Sequence, residues 1–86
     1  MSDQDPNSST AKAVLEYLAR TLVDEPDAVE ITQSQWRQRV NLNLSVAPND
    51  MGKVIGRKGR TAQAIRTIVR AAGSVDGADT FVDIVD

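Results

Sequence analysis

The fold of this chain depends most on the segment MGKVIGRKGRTAQAIRTIVRAA, residues 51–72. Two glycines, Gly56 and Gly59, enclose Arg57 and Lys58 between a short apolar run and a longer segment with apolar residues at helical spacing. Glycine adopts positive φ without steric cost and has no side chain, so the backbone can turn sharply between two helices. The segment therefore predicts a helix, a glycine turn with two cations at its tip, and a second helix.

The surroundings of this turn favour contact with a nucleic-acid strand. A second helix that begins directly after Gly59 presents unpaired backbone N–H groups and the positive end of its dipole, which together suit phosphate. Arg57, Lys58 and Arg60 add positive charge at the same place. The G-x-x-G tetrapeptide by itself is a weak signal, since average glycine usage produces it by chance about 0.4 times in a chain of this length.

Positive charge is concentrated near the turn although the whole chain is slightly acidic, with a net charge of -2 and a pI near 5.0. Six of the ten Lys and Arg residues lie between positions 51 and 70, and all twelve acidic residues lie outside that window. Lys53, Arg60 and Arg66 are expected to surround the turn with charge. Arg66 and Arg70 are four residues apart, which is also the pattern of a solvated helix face, and Arg70 lies farther from the turn.

The composition excludes several kinds of catalytic site. The chain has no cysteine and no histidine, so the usual zinc sets, Cys-His and Ser-His nucleophiles and imidazole acid-base catalysis are excluded. We predict a protein that is not an enzyme and needs no metal or cofactor. Residues 1–10 lack the positive and apolar regions of a signal peptide, and no run approaches the ~20 apolar residues that span a membrane, so we expect a cytoplasmic location.

The remaining sequence predicts three strands and one further helix. Residues 1–9 are polar and are interpreted as a flexible tail, with one domain over residues 10–86. Ser9 or Thr10 can cap a helix that ends before Pro26. The apolar stripe of that helix consists of Val14, Leu15, Leu18 and Leu22.

Alternating apolar residues between positions 29 and 46 predict two antiparallel strands joined by a turn around Arg37 and Gln38. Asn49 or Asp50 can cap the short helix that follows, and Gly73 is a C-cap for the longer one. The buried face of the longer helix is expected to contain Ala62, Ile65, Ile68, Val69 and Ala72. Residues 80–85, TFVDIV, form the third strand, parallel to the second because two helices connect them. The prediction is an α+β fold of order α-β-β-α-α-β, with a three-stranded mixed sheet and the helices on one face.

At residues 54–65 the sequence VIGRKGRTAQAI resembles the core signature of the KH domain, and the element order resembles type II, the bacterial arrangement. Over residues ~10 to 86 the chain is similar to the small single-domain bacterial KH proteins often called KhpA. Ala62 departs from the pattern, because many KH domains have a larger aliphatic residue there. The polar tail is a second departure.

The resemblance implies a loop that clamps the backbone of about four unpaired nucleotides and turns their bases into a groove between the helices and the adjacent strand. Mapped onto this sequence, the clamp is Gly56, Arg57, Lys58 and Gly59, the apolar groove candidates are Val54, Ile55, Ile65 and Leu44, and the surrounding charges are Lys53, Arg60 and Arg66. The resemblance further implies an RNA chaperone or post-transcriptional regulator linked to cell-wall and cell-shape control. Its partner would be a second copy or a larger multidomain KH-containing RNA-binding protein.

Two other functions are compatible with parts of the sequence. The helix pair could be a DNA-binding helix-turn-helix, although such a domain does not need three strands. The chain could also be an interaction adaptor with little nucleic-acid binding. Trp36, Phe81 and Val85 are expected to share the sheet face away from the helices, as edge packing or as a partner surface. A lone tryptophan at a hairpin end packs more often than it stacks on a base.

Overall fold

A computed structural model describes residues 10–85, so the predicted tail of residues 1–9 lies outside the described part of the chain. The helices are α1 (Thr10–Leu22), α2 (Met51–Ile55) and α3 (Arg60–Val75), and the strands are β1 (Glu30–Trp36), β2 (Arg39–Ser45) and β3 (Asp79–Val85). Short 3-10 turns occupy Pro26–Ala28, Pro48–Asp50 and Arg57–Gly59. No helix in residues 10–85 combines the length and hydrophobicity needed to cross a membrane.

The strands form a single mixed sheet in the order β1-β2-β3. Strands β1 and β2 are antiparallel and join through a tight turn, with Trp36 opposite Arg39. Strands β2 and β3 are parallel, with Arg39 opposite Asp79 and Leu42 opposite Val82. The predicted α-β-β-α-α-β order, mixed sheet and helical layer on one face are therefore confirmed.

The core lies between the helices and the inner face of the sheet. Successive side chains of a strand point to opposite faces of the sheet. The alternating apolar residues of β2, Val40, Leu42 and Leu44, therefore all face the helices and are buried. Leu15 of α1 and Val69 of α3 are fully buried against them. Burial of each such side chain stabilises the fold by about 1.5–3 kcal/mol.

The start of α1 is hydrogen-bonded to the segment that follows α3. Thr10 is the first helical residue, and its backbone N–H donates to the Asp76 carboxylate at 3.0 Å, across 66 positions of sequence. Ser9, the other cap predicted for this helix, lies outside the described residues. A carboxylate at a helix N-terminus satisfies an otherwise free N–H group and interacts favourably with the helix dipole.

Two predictions for α3 are wrong. Ile68 is 48% exposed, because the stripe that faces the sheet is formed by Ala62, Ile65, Val69 and Gly73, and a residue one position away is rotated by about 100°. Gly73 does not end the helix, which continues to Val75. A Cβ at position 73 would lie 2.0 Å from the Thr80 hydroxyl oxygen, so glycine allows α3 to approach β3 closely.

Candidate nucleic-acid interface

The loop of residues 56–59 connects α2 to α3 through three residues with positive φ. Gly56 has φ 75° and ψ 175°, Lys58 has φ 57° and ψ 26°, and Gly59 has φ 73° and ψ 13°. The Gly59 N–H donates to the Gly56 carbonyl at 3.1 Å and closes the turn. The predicted sharp turn between two helices is confirmed, and Lys58 is a non-glycine residue in the left-handed region, which is uncommon.

The two glycines of this loop are favoured for different reasons. At Gly56 an added Cβ would lie 2.1 Å from the Thr61 hydroxyl oxygen and 2.9 Å from the Thr61 backbone nitrogen. At Gly59 an added Cβ would meet nothing within 4 Å, so the positive φ alone favours glycine there. The first glycine therefore packs the loop against the beginning of α3, and the second sets the direction of the chain.

Positive charge at this turn is available to a ligand. The side chains of Arg57, Lys58 and Arg60 are exposed, and none forms an ion pair with another residue between positions 10 and 85. Helix α3 has no acidic residue in its first turn, and Gly59 provides no side-chain cap. The positive end of a 16-residue helix therefore lies beside three cations that no carboxylate within residues 10–85 pairs with.

Lys53 differs from these three cations. Its ammonium group lies 3.1 Å from the Asp24 carboxylate and 3.5 Å from the Asp50 carboxylate. Asp50 is 1% exposed and accepts hydrogen bonds from the backbone N–H groups of Asp24 at 3.2 Å and Glu25 at 3.1 Å. The prediction that Asp50 caps α2 with its side chain is wrong, because its carboxylate binds the segment after α1 instead.

The environment of this pair keeps both groups charged. Burial raises the pKa of the Asp50 carboxyl. The N–H groups of Asp24 and Glu25 and the charge of Lys53 together lower this pKa by more than burial raises it, so it lies below its ordinary value. Hydrogen bonding and charge from Asp24 raise the pKa of Lys53 more than burial lowers it, and Asp50 adds to the increase. The three side chains fix the start of α2 to the end of α1.

Arg66 lies along the edge of the sheet. Its Nε donates to the backbone carbonyl of Val82 at 3.2 Å, and Val82 belongs to the edge strand β3. Six residues of helix separate Arg66 from Arg60, a rise of about 9 Å. The structure therefore places Arg66 at the sheet edge formed by β3, farther along α3 than the glycine loop.

The apolar groove candidates occupy two layers. Val54, Ile65 and Leu44 are at most 3% exposed and belong to the core. Ile55 is 39% exposed beside the loop. Of these four side chains, Ile55 presents a substantial surface to a ligand, and the others support the loop and α3 from beneath.

A group of arginine and aromatic side chains was not identified from the sequence. Arg37 lies 4.2 Å from the ring centroid of Trp36. Arg39 lies 4.2 Å and Arg70 5.4 Å from the ring centroid of Phe81. Strand alternation predicts Trp36 and Phe81 on the same sheet face, and the hairpin register brings Arg39 to that face. The approach of Arg70 to the Phe81 ring depends on how α3 packs against β3.

Comparison with known proteins places this geometry in a family. A family model described as the KH domain of KhpA/KhpB matches residues 12–84. The RNA-binding protein KhpA of Caldanaerobacter subterraneus subsp. tengcongensis is 47% identical over 72 residues, covering 84% of this chain and 96% of that protein. The KhpA proteins of Clostridium acetobutylicum and Streptomyces coelicolor are each 46% identical, covering 86% and 84% of this chain and 99% and 87% of their own lengths.

A solved structure supports the fold. The crystal structure of Aquifex aeolicus Era superimposes with a TM-score of 0.61 at 16% identity. The match covers 86% of this chain and 29% of the Era chain.

Proposed function

The chain belongs to the KhpA/KhpB family of KH domains, and we propose that it is a non-catalytic, single-stranded RNA-binding module. The loop of residues 56–59 clamps the sugar-phosphate backbone. One observation carries this proposal: the glycine turn holds the exposed Arg57, Lys58 and Arg60 at the unneutralised N-terminus of α3. Backbone N–H groups and mobile cations at one place form a phosphate site that does not depend on base identity.

The bases extend from the clamp over the surface between α3 and the edge of β3. Ile55 provides the exposed apolar contact beside the loop, and Arg66 provides charge at the strand edge. The buried Val54 and Ile65 act from beneath by holding α2 and α3 in position. Lys53 reaches a phosphate only by leaving Asp24, so its main contribution is to the position of α2.

Membership of the family also motivates a proposal for the cellular role. We propose that the protein acts in the cytoplasm as an RNA chaperone or post-transcriptional regulator connected with cell-wall and cell-shape control. It works with a second copy of itself or with a larger multidomain KH protein. Sedimentation at micromolar concentration tests self-association, and a monomer with no partner recovered from cells contradicts it.

The alternative functions have less support. A helix-turn-helix protein presents its second helix to the major groove of duplex DNA, whereas here α3 packs on a three-stranded sheet. An adaptor without nucleic-acid binding has no use for unpaired cations at the tip of a glycine turn. Neither alternative explains the combination of the loop and the sheet.

The proposal is tested by fluorescence anisotropy with three labelled ligands of equal length: single-stranded RNA, duplex RNA and duplex DNA. We expect measurable binding of single-stranded RNA and much weaker binding of both duplexes, because a KH groove accepts unstacked bases. Preference for duplex DNA supports the helix-turn-helix alternative. Absence of binding to all three ligands supports the adaptor.

A further inference from the structure

We propose that the sheet face opposite the helices carries a second contact surface for single-stranded RNA. This surface is the arginine-aromatic row, defined as Trp36, Arg37, Arg39, Phe81 and Arg70. The proposal rests on the proposed function, because the same RNA strand that the glycine loop clamps would continue onto this row.

The row combines the two chemical groups that bind unpaired nucleotides without sequence preference. Arg37 stacks on Trp36, while Arg39 and Arg70 both lie close to the Phe81 ring. Bases stack on aromatic rings and on the planes of arginine guanidinium groups, and the same guanidinium groups attract phosphate. Trp36 is 66% exposed, so its ring and the guanidinium above it are accessible from solvent.

Strand pairing gives the row a defined geometry. Trp36 on β1 lies directly opposite Arg39 on β2, and Arg39 lies opposite Asp79, two residues before Phe81 on the edge strand β3. Arg70 completes the row from α3. A cleft of about 390 Å³ is lined by Arg39, Asn41, Arg66, Arg70, Phe81 and Asp83 among others, so it crosses the edge of β3 and joins the helical side to the open sheet face.

The position of the row allows one strand to reach it from the loop. Helix α3 and strand β3 are joined by residues 76–78, so β3 returns along α3 and Phe81 lies near Arg70 rather than near the loop. Ten helical residues separate Arg60 from Arg70, a rise of about 15 Å. Arg66, bonded to the Val82 carbonyl, lies between these two ends and provides a cation along the way.

Positive charge beside aromatic rings favours RNA over an acidic protein segment as the occupant. The row and the cleft contain Arg37, Arg39, Arg66 and Arg70, while the acids beside them are Asp79, which pairs with Arg70 at 3.9 Å, and Asp83. An acidic peptide would match the excess of positive charge, but it would leave the two flat ring systems without a stacking partner. Nucleotides use both features, because each has a phosphate and a planar base.

The sole tryptophan of the chain provides a direct probe. Trp36 emission is recorded while the protein is titrated with two single-stranded RNAs. One has about four nucleotides, the length held by one KH clamp, and the other has roughly 12 nucleotides, long enough to extend beyond the clamp. Anisotropy measures binding of both ligands independently. We expect the longer RNA to quench Trp36 emission at saturation and the shorter RNA to leave it unchanged.

A variant carrying Arg39→Gln and Phe81→Leu removes one guanidinium charge and one stacking ring while keeping a polar side chain at position 39 and an apolar one at position 81. We expect about tenfold weaker binding of the longer RNA, which corresponds to the loss of roughly one stacked base. Binding of the shorter RNA should be unchanged. Arg20→Gln on α1 is the matched control and should bind both lengths like the wild type. Native circular dichroism establishes that each variant is folded.

The outcomes separate this proposal from the proposed function. If the longer RNA binds without changing Trp36 emission and the double variant binds it with wild-type affinity, the second surface is overturned while the loop clamp stands. Quenching by an acidic protein ligand but not by the longer RNA also overturns it, as does equal loss of both RNA lengths in the double variant. The clamp itself is tested with a variant that carries both Arg57→Asp and Lys58→Asp. This variant should lose binding of both RNA lengths. If it binds both lengths like the wild type, the proposed function fails.

Discussion

The carboxylate of Asp50 accepts a hydrogen bond from the backbone N–H of Glu25 at 3.1 Å, although 25 positions separate the two residues. A second bond from Asp24 and an ion pair to Lys53 complete the arrangement. Asp50 directly precedes α2, so these contacts connect the end of α1 to the helix that leads into the glycine loop. The position of the loop therefore depends on a residue that has no contact with RNA in the proposed mode.

We expect Asp50→Ala to destabilise the protein markedly. The substitution leaves two partly buried N–H groups without their acceptor and removes a partner of Lys53, and unsatisfied groups of this kind are costly. Thermal unfolding followed by circular dichroism should show a Tm lower by several degrees. Asp27→Ala removes an exposed carboxylate nearby and should leave the Tm almost unchanged. Equal Tm values for the two variants would contradict the role of Asp50.

The same contacts predict how stability varies with pH. The folded-state pKa of Asp50 lies below its ordinary value of 3.8, so its contribution is complete above that pH and is lost as the pH falls through the lower folded value. The folded-state pKa of Lys53 lies above 10.5, so its contribution is complete below that pH and is lost as the pH rises through the raised folded value. Urea unfolding at pH values above and well below 3.8 should show a steeper acid loss of stability in the wild type than in Asp50→Asn. Parallel curves would show that Asp50 does not cause the acid sensitivity.

The sequence predicted the features that depend on local pattern and missed those that depend on packing. Alternation identified β2 because its pleat has a period of two, and the G-x-x-G spacing identified the turn because the chain must take positive φ there. Helical spacing predicts Ile68 in the core, because an apolar residue beside a helical stripe has nearly the same spacing as one within it, whereas the structure exposes this side chain. The bonds from Asp50 to Glu25 and from Thr10 to Asp76 join positions that only the folded chain brings together.

The two loop glycines should respond differently to substitution. Gly59→Asn should remain folded and keep most RNA binding, since asparagine tolerates the left-handed region and nothing lies within 4 Å of the new Cβ. Gly56→Ala should lose most binding, because its φ and ψ are accessible to glycine almost alone and the added Cβ meets the Thr61 backbone. Anisotropy with single-stranded RNA and thermal unfolding measure both effects. Equal binding by the two variants would argue against a packed loop.

Binding to single-stranded RNA should be weak and strongly dependent on salt. One clamp engages three or four phosphates, and each contributes about -0.7 to the slope of log K against log[salt], so we expect a slope of roughly -2 to -3. Titrations between 50 and 200 mM salt, about the range where such slopes are measured, provide the value. A flat response would remove the electrostatic part of the proposal.

The strongest test of the clamp is the combination of Arg57→Asp and Lys58→Asp, which changes the formal charge at the tip of the loop from +2 to -2. Both side chains are exposed and form no ion pair within residues 10–85, so the fold should survive. Substitutions at such positions usually change stability by less than ~0.5 kcal/mol. Aspartate also tolerates the left-handed conformation of position 58, and a carboxylate near the N-terminus of α3 is favourable.

In this variant the loop repels phosphate instead of attracting it, because two carboxylates lie on the approach to the N–H groups of α3. Binding of single-stranded RNA should fall to background, while circular dichroism and Tm remain native. The matched control is Lys12→Asp with Arg20→Asp, which changes the net charge equally on α1 and leaves the loop intact. If both variants weaken binding equally, the effect belongs to overall charge rather than to the loop. If the loop variant is folded and binds RNA with unchanged affinity, the turn of residues 56–59 is not the clamp, because reversed charge beside a bound phosphate must weaken binding even when every other RNA contact is intact.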